Sequence, residues 1–214
     1  MRRTFRQRLI CIGFVAAAWL LLSGWAADAA EPQANSCVQC HRALPGRLSA
    51  PVKMLENDIH AQKGLPCVNC HGGDSTSLDM RVAKSQEKGF IGAPKPAQVP
   101  ALCDKCHGDL AFMRRISPSI AVDQYKAYQT SVHGKRLAQG DVKVATCTSC
   151  HGAHGILPAS HANSSVYPVN VAKTCSKCHA DKEHMKGYDI PTNQMEDYLQ
   201  SVHADLLINK RELT

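Results

Sequence analysis

A repeated cysteine motif is the strongest constraint on what this chain can fold into. Ten of its 11 cysteines form five C-x-x-C pairs, and a histidine directly follows every pair. The segments are Cys37-Cys40-His41, Cys67-Cys70-His71, Cys103-Cys106-His107, Cys147-Cys150-His151 and Cys175-Cys178-His179. C-x-x-C-H is the attachment sequence of haem c: both thiols form thioethers, and the histidine is the proximal iron ligand. We therefore predict five covalently attached haem c groups, held by these ten cysteines and five histidines.

Other uses of paired cysteines fit this pattern less well. Structural zinc would join the pairs two by two into four-cysteine sites, and five pairs is an odd number. A disulfide framework is common in exported chains, but it gives no reason for a histidine after every pair. Thioredoxin-like redox pairs need a surrounding βαβ pattern, which the sequence lacks. The histidines therefore favour haem over zinc, disulfides and redox thiols.

Six histidines outside the motifs are the candidates for the opposite, distal side of each iron. They are His60, His133, His203, His154, His184 and His161. The first three are the strongest, because each ends an Asp-Ile-His or Ser-Val-His segment. His154 stands only three residues after His151, so we expect it to serve a neighbouring haem. Met113 and Met185 are alternative ligands, and either would raise the reduction potential of its haem.

An internal repeat organises the second half of the sequence. Two copies of C-x-K-C-H, from Cys103 and Cys175, are each followed by Q-x-x-x-Y-x-x-S-V-H, at an offset of 70 to 72 residues. Within a pentahaem region of 30–214 we predict two-haem modules at about 58–123 and 124–193, with a third beginning at 194–214. The period places a next motif near position 217, which would make the sequence part of a longer cytochrome. Alternatively, His203 ligates an internal haem and the chain ends there.

The expected fold is mainly α-helical, with extensive irregular loops and little or no β-sheet. Helical periodicity covers 123–138 and 192–209, with Thr192 as N-cap of the second helix, and prolines mark 93–100 as an extended connector. Aromatic residues make up only 5% of the sequence, although they normally supply much of a protein core. We therefore expect haem groups to fill the interior.

Residues 1–29 have the features of a cleaved export signal. A basic start precedes an apolar stretch from Leu9 to Trp25, and Ala27-Asp28-Ala29 matches a small-x-small cleavage site. Cleavage would release the protein into the periplasm or to the outer surface. The alternative is an uncleaved anchor that keeps the protein at the membrane, since about 17 apolar residues is the lower limit for a span.

The five motifs, together with the Y-x-x-S-V-H and C-H-G-x-H segments, resemble the multihaem c-type cytochromes of respiratory bacteria. The resemblance extends from Cys37 to His203. It implies electron transfer in anaerobic respiration, through closely packed bis-histidine haems, to redox protein partners. The donor it implies is a membrane quinol-oxidising subunit, with a terminal acceptor at the other end.

An electron carrier with no catalytic residue is the expected function, because six spare histidines suffice for five haems. The alternative is a multihaem reductase of nitrite, hydroxylamine or a sulfur oxyanion, which needs one haem with an open sixth position. A nucleic-acid partner is not expected despite the formal charge of +7, because stacking aromatics and a basic stripe are missing. Haem propionates would also bring the charge close to neutral or below.

Overall fold

Short helices joined by irregular loops form the part of the chain that the computed structural model describes, residues 35–210. The helices are α1 (Ser36–Ala43), α2 (Ala50–Met54), α3 (Ile59–Gln62), α4 (Cys67–His71), α5 (Met80–Ala83), α6 (Val99–His107), α7 (Leu110–Ile116), α8 (Gln124–Thr130), α9 (Val132–Ala138), α10 (Cys147–His151), α11 (Pro168–His179), α12 (Lys182–Met185), α13 (Gln194–Leu199) and α14 (Val202–Ala204). Four 3₁₀ turns accompany them, Gly46–Leu48, Leu55–Asn57, Gln86–Lys88 and Pro96–Gln98, and a π-helical turn follows α14 at Asp205–Lys210. No strand occurs within this range, so the predicted helical fold with extensive loops and no sheet is confirmed.

Every C-x-x-C-H motif lies on a helix. The helices α4 and α10 consist of the motif alone, whereas α6 and α11 end on its histidine. Helical residues three apart share a face, so both thiols of a pair point to the same side. The motif is therefore a rigid unit that presents two sulfurs and one imidazole together.

A glycine ends the helix of the second motif. Gly72 follows His71 with φ 68 and ψ −163, a conformation that is almost restricted to glycine. A Cβ at this position would also overlap the carbonyl oxygen of Gly89. Gly72 therefore lets the chain turn away directly after the imidazole and pack against the 85–92 loop.

Both long helices predicted from periodicity are interrupted. Ser131 separates α8 from α9 in an extended conformation, and its Oγ accepts a hydrogen bond from the Gly134 N–H at 3.0 Å. Ser201 starts α14 in the same way by accepting from the Ala204 N–H at 3.2 Å. The prediction of single helices over 123–138 and 192–209 was wrong because a serine cap favours a new helix start even where the apolar period continues.

Two boundaries near prolines also differ from prediction. The helix predicted for 192–209 begins at Gln194, with Asn193 rather than Thr192 in the N-cap position. The 93–100 connector is not extended throughout, because Pro96–Gln98 forms a 3₁₀ turn and α6 begins at Val99. Pro100 occupies the first turn of α6, where its missing N–H has no helical partner to lose.

The internal repeat recurs in the packing of the helices. The helix that ends in a proximal histidine contacts the helix that leads to Ser-Val-His in both copies, α6 with α8 and α11 with α13. Met113 and Met185 are buried at matching positions after the two motifs. The proposed module boundaries, 58–123 and 124–193, remain a prediction.

Side chains form only a small core within residues 35–210. The buried apolar residues there are Val99, Met113, Leu137, Val144, Met185 and Ala204. Val132 and Val202, beside two candidate distal histidines, are 67% and 64% exposed. A chain of this length normally buries far more apolar surface, and the small core is what we expect if haem groups fill part of the interior.

The export signal predicted for residues 1–29 lies outside the described residues. Within 35–210, no helix has the length and hydropathy of a membrane span.

Candidate haem-binding sites

Three of the proximal histidines have a second imidazole beside them. The ring centres of His107 and His60 are 6.1 Å apart, those of His71 and His154 6.0 Å, and those of His179 and His133 6.1 Å. A metal held between two imidazoles, at about 2.0–2.1 Å from each nitrogen, separates the ring centres by about 6 Å. Each of these pairs therefore has the spacing that one shared iron requires.

Backbone carbonyls orient two of the proximal imidazoles. The Nδ1 atom of His41 lies 2.8 Å from the carbonyl oxygen of Leu48, and Nδ1 of His71 lies 2.8 Å from that of Gly92. A carbonyl can only accept, so Nδ1 carries the proton in both rings. Nε2 then presents its lone pair, which is the arrangement that a haem iron needs.

A carboxylate orients the distal imidazole of His60. Asp58 is buried, and its Oδ1 accepts from the backbone N–H of His60 at 2.8 Å and lies 3.3 Å from Nδ1 of the same residue. Its Oδ2 accepts from the Ile156 N–H at 3.2 Å. Burial raises the pKa of Asp58, but the backbone donors at Ile156 and His60 outweigh it and leave the pKa lowered. The side chain is therefore ionised and joins two segments that are distant in sequence.

Burial favours the neutral form of four histidines at these sites. Desolvation is the first cause that lowers the pKa of His107, His133, His151 and His154. In all except His151, the neighbouring imidazole lowers the pKa further. Because a histidine must be deprotonated to bind a metal, these sites favour ligation at neutral pH.

The other candidate ligands are placed differently. The Nδ1 of His161 accepts from the Asn163 N–H at 3.1 Å, which leaves the proton on Nε2 and that nitrogen unable to ligate. His184 and His203 have no second imidazole beside them within the described range, and the same holds for the proximal residues His41 and His151. Met113 and Met185, the predicted alternatives, are buried in the small apolar core.

The pairing of the rings was not apparent from spacing along the chain. His154 stands against His71 rather than His151, as expected of a ligand that serves a neighbouring haem. His60 precedes its partner His107 by 47 residues, and His133 precedes His179 by 46. This near-constant separation is the sequence signal from which two of the pairs could have been inferred.

Neighbouring motifs influence each other's thiols in chain order. The interacting pairs are Cys37 with Cys67, Cys70 with Cys106, Cys103 with Cys147, and Cys150 with Cys175. Burial is the largest cause of the raised pKa of Cys67, Cys70 and Cys150, and the charge of the neighbouring thiol adds to it. At Cys103 the nearby Cys147 thiol is the largest cause of the raised pKa, ahead of burial. The helices of the third and fourth motifs, α6 and α10, are also in direct contact, so these two attachment sites are neighbours in space.

The described cysteines form neither disulfides nor the metal sites that were considered as alternatives to haem. All ten from Cys37 to Cys178 are free thiols, and no three His, Cys, Asp or Glu side chains within 35–210 converge as a site for a bare metal ion. Cys150, His151 and Lys177 instead line one cavity of about 310 Å³. The thiol of Cys150 and the imidazole of His151, both from the fourth motif, thus face a cavity, which fits a covalently attached haem.

A sequence model of the family described as Cytochrome c3 matches residues 59–180, which is more than half of the chain. The chain belongs to the cytochrome c3 family. The match contains four of the five motifs and all three ring pairs. Membership of the cytochrome c3 family implies covalently bound haem c and a function in electron transfer, and its members are typically periplasmic or extracellular.

A curated relative of this cytochrome is a much longer protein. The C-type polyheme cytochrome OmcC of Geobacter sulfurreducens is 25% identical over 171 residues, which cover 68% of this chain and 20% of that protein. The chain therefore spans about a fifth of the length of the relative that it matches. No solved structure matches the chain.

Proposed function

We propose that this cytochrome carries electrons through five covalently attached haems, most of them bound by two histidines, between a quinol-linked membrane donor and a terminal acceptor. The observation that carries the proposal is the set of three imidazole pairs, each with ring centres 6.0 to 6.1 Å apart. When bound, haem c supplies reversible one-electron oxidation and reduction.

Paired imidazoles favour a carrier over an enzyme. The rings of His60, His154 and His133 each lie 6.0 to 6.1 Å from a proximal ring, and as sixth ligands they would take the position that a substrate needs. A small molecule would need to displace a ligand that its own segment holds in place. Bis-histidine ligation also lacks the methionine that raises potentials, so we expect low potentials.

The order of the attachment sites supports transfer along the chain. The helices of the third and fourth motifs, α6 and α10, are in contact, and the raised pKa values of Cys67, Cys70 and Cys150 each include the charge of a thiol from a neighbouring motif. Successive haems held at such sites would lie close together. We therefore propose a path that follows the motif order, with redox proteins as partners at its ends.

The cellular context rests on the resemblance and on the family. Cytochromes of this family are typically periplasmic or extracellular, in line with export by the 1–29 signal. The relative from Geobacter sulfurreducens is itself a polyheme cytochrome. We propose a periplasmic or outer-surface protein of anaerobic respiration that receives electrons from a quinol-oxidising membrane subunit.

A reductase is the second candidate, and one cavity favours it. The imidazole of His151 lines a cavity of about 310 Å³ together with polar residues that include Asn163 and Lys177. An iron at His151 that kept one open position beside these groups could bind nitrite, hydroxylamine or a sulfur oxyanion.

Spectroscopy combined with turnover separates the two functions. The full-length holoprotein would be produced with haem attachment, and its oxidised form examined by EPR before and after addition of nitrite, hydroxylamine and sulfite. We expect low-spin signals that these compounds leave unchanged, and no steady-state consumption of them by the reduced protein. His133→Ala, which opens one iron, is the positive control for detecting a high-spin haem. A high-spin signal in the natural sequence, accompanied by turnover, would establish the reductase instead.

A further inference from the structure

One buried carboxylate touches both segments that carry neighbouring distal histidines. Asp58 precedes His60 by two residues and holds that imidazole through Oδ1, at 3.3 Å from Nδ1. Through Oδ2 it accepts from the N–H of Ile156, which lies two residues after His154. Ile59 adds a second link, because its N–H donates to the Ile156 carbonyl at 2.8 Å. The two distal histidines are thus connected through Asp58, although 94 positions separate them.

The chain contains its own comparison for this residue. Ser131 and Ser201 occupy the equivalent position before His133 and His203, and each Oγ caps its helix through a backbone N–H three residues on. A serine provides the cap without a charge, and the hydrogen bonds of both Oγ atoms in the described structure stay within their own segments. The carboxylate is therefore a feature of the His60 site that the helix start alone does not require.

We propose that Asp58 is a positioning residue that fixes His60 and the His154 segment together, and that its negative charge lowers the reduction potential at the irons these histidines serve. This inference rests on the proposed bis-histidine ligation. A carboxylate beside Nδ1 of a ligating imidazole makes that imidazole a stronger electron donor, which stabilises the ferric over the ferrous state. The charge acts in the same direction on both sites, because a buried anion favours the more positive iron.

The test uses the full holoprotein with Asp58→Asn and Asp58→Ser. Asp58→Asn removes the charge at nearly constant shape, and Asp58→Ser installs the residue of the other two copies. Asp79→Asn is the matched control: Asp79 also caps a four-residue helix by accepting from the N–H two positions on, but it precedes Arg81 and is exposed. Spectroelectrochemical titration would give the midpoint potentials. The rate of CO binding to the reduced protein would report how readily the distal histidine leaves the iron.

We expect both Asp58 variants to retain the full haem content and to show at least one potential component shifted upward. Asp58→Ser should also bind CO several-fold faster, because the His60 ring and the 154–156 segment lose their common anchor. Asp79→Asn should match the natural sequence in both measurements. Unchanged potentials in Asp58→Asn and Asp58→Ser would overturn the inference, as would an equal shift in Asp79→Asn.

The same experiment separates failure of this inference from failure of the proposed function. If the natural sequence lacks low-spin bis-histidine signals, the proposed ligation fails irrespective of Asp58. If those signals are present and the Asp58 variants have unaltered potentials, the ligation stands and only the role of Asp58 is refuted.

Discussion

Single hydrogen bonds determine which imidazoles in this chain can serve as iron ligands. The carbonyls of Leu48 and Gly92 each accept a hydrogen bond from Nδ1 of a proximal histidine, which directs the lone pair to Nε2. At His161 the backbone N–H of Asn163 approaches Nδ1 and reverses the tautomer. The proximal residues His41 and His71 therefore differ from His161 in their capacity to ligate, because a backbone donor or acceptor within about 3 Å sets the position of the ring proton.

The contrast between His154 and His161 gives the first prediction. His154→Ala removes the ring that stands 6.0 Å from His71, nearly parallel to it at 17°. One iron then lacks a sixth ligand, so we expect a high-spin EPR signal from one haem and CO binding to the reduced variant. His161→Ala, the control, should leave the spectrum unchanged. A low-spin spectrum in His154→Ala would show that another group ligates this iron.

A second prediction at this scale concerns Gly72. Gly72→Ala places a Cβ at φ 68 and against the carbonyl oxygen of Gly89, so we expect a loss in the free energy of unfolding of about 1–3 kcal/mol or more. Guanidinium unfolding of the holoprotein, followed by circular dichroism, measures it. Gly64→Ala is the control, because Gly64 has a similar φ of 74 but no atom within 4 Å of the added Cβ. Equal losses in both variants would exclude the contact with Gly89 as a cause.

At the scale of helices, the sequence correctly predicted which segments are helical but not that these helices are interrupted. The apolar period in 123–138 identified a helical region, which the structure contains as α8 and α9. Periodicity could not show the break, because Ser131 interrupts the backbone without disturbing the spacing of the apolar residues. The break matters for the site, since it starts a new helix directly before His133 and so sets the direction of that imidazole.

Removal of this cap should destabilise the segment that carries His133. Ser131→Ala deletes the Oγ that accepts from the Gly134 N–H, and we expect a loss of about 0.5–2 kcal/mol in the free energy of unfolding. Ser131→Asp retains a capping oxygen, as Asp58 does before His60, and should recover most of the loss. Guanidinium unfolding of the two holoproteins makes the comparison. Equal stability of the alanine and the natural protein would mean that haem ligation alone holds this segment.

At the scale of the whole molecule, the sequence predicted which residues belong to the candidate haem sites better than how these residues pair in space. The ten thiols, the five proximal histidines and the pool of distal histidines all follow from motif spacing. Which distal ring meets which proximal ring does not, because the His71 and His154 pair joins segments 83 residues apart that no local rule relates. The scarcity of buried side chains explains this limit: contacts between segments depend on groups that are added after translation.

The order of the motifs leads to a prediction about long-range electron transfer. If haems follow the motif order, removal of the third attachment site isolates the first two from the C-terminal end, whereas removal of the first isolates none. The test uses two double variants. One replaces Cys103 and Cys106 by alanine, the other replaces Cys37 and Cys40, and each holoprotein is tethered to an electrode through a C-terminal tag. At high scan rate we expect the variant without the third site to lose the electrochemical charge of three haems, its own and the two that it isolates. The variant without the first site should lose the charge of one haem.

A soluble redox mediator provides the control for this experiment. With the mediator present, both double variants should show the charge of four haems, which proves that the remaining groups are attached and redox-active. Loss of a single haem's charge in both variants without mediator would contradict a linear path and indicate contacts that bypass the third site. The helix of the third motif, α6, contacts that of the fourth motif, α10, and the charge of Cys106 raises the pKa of Cys70 in the second motif, so we expect the linear outcome.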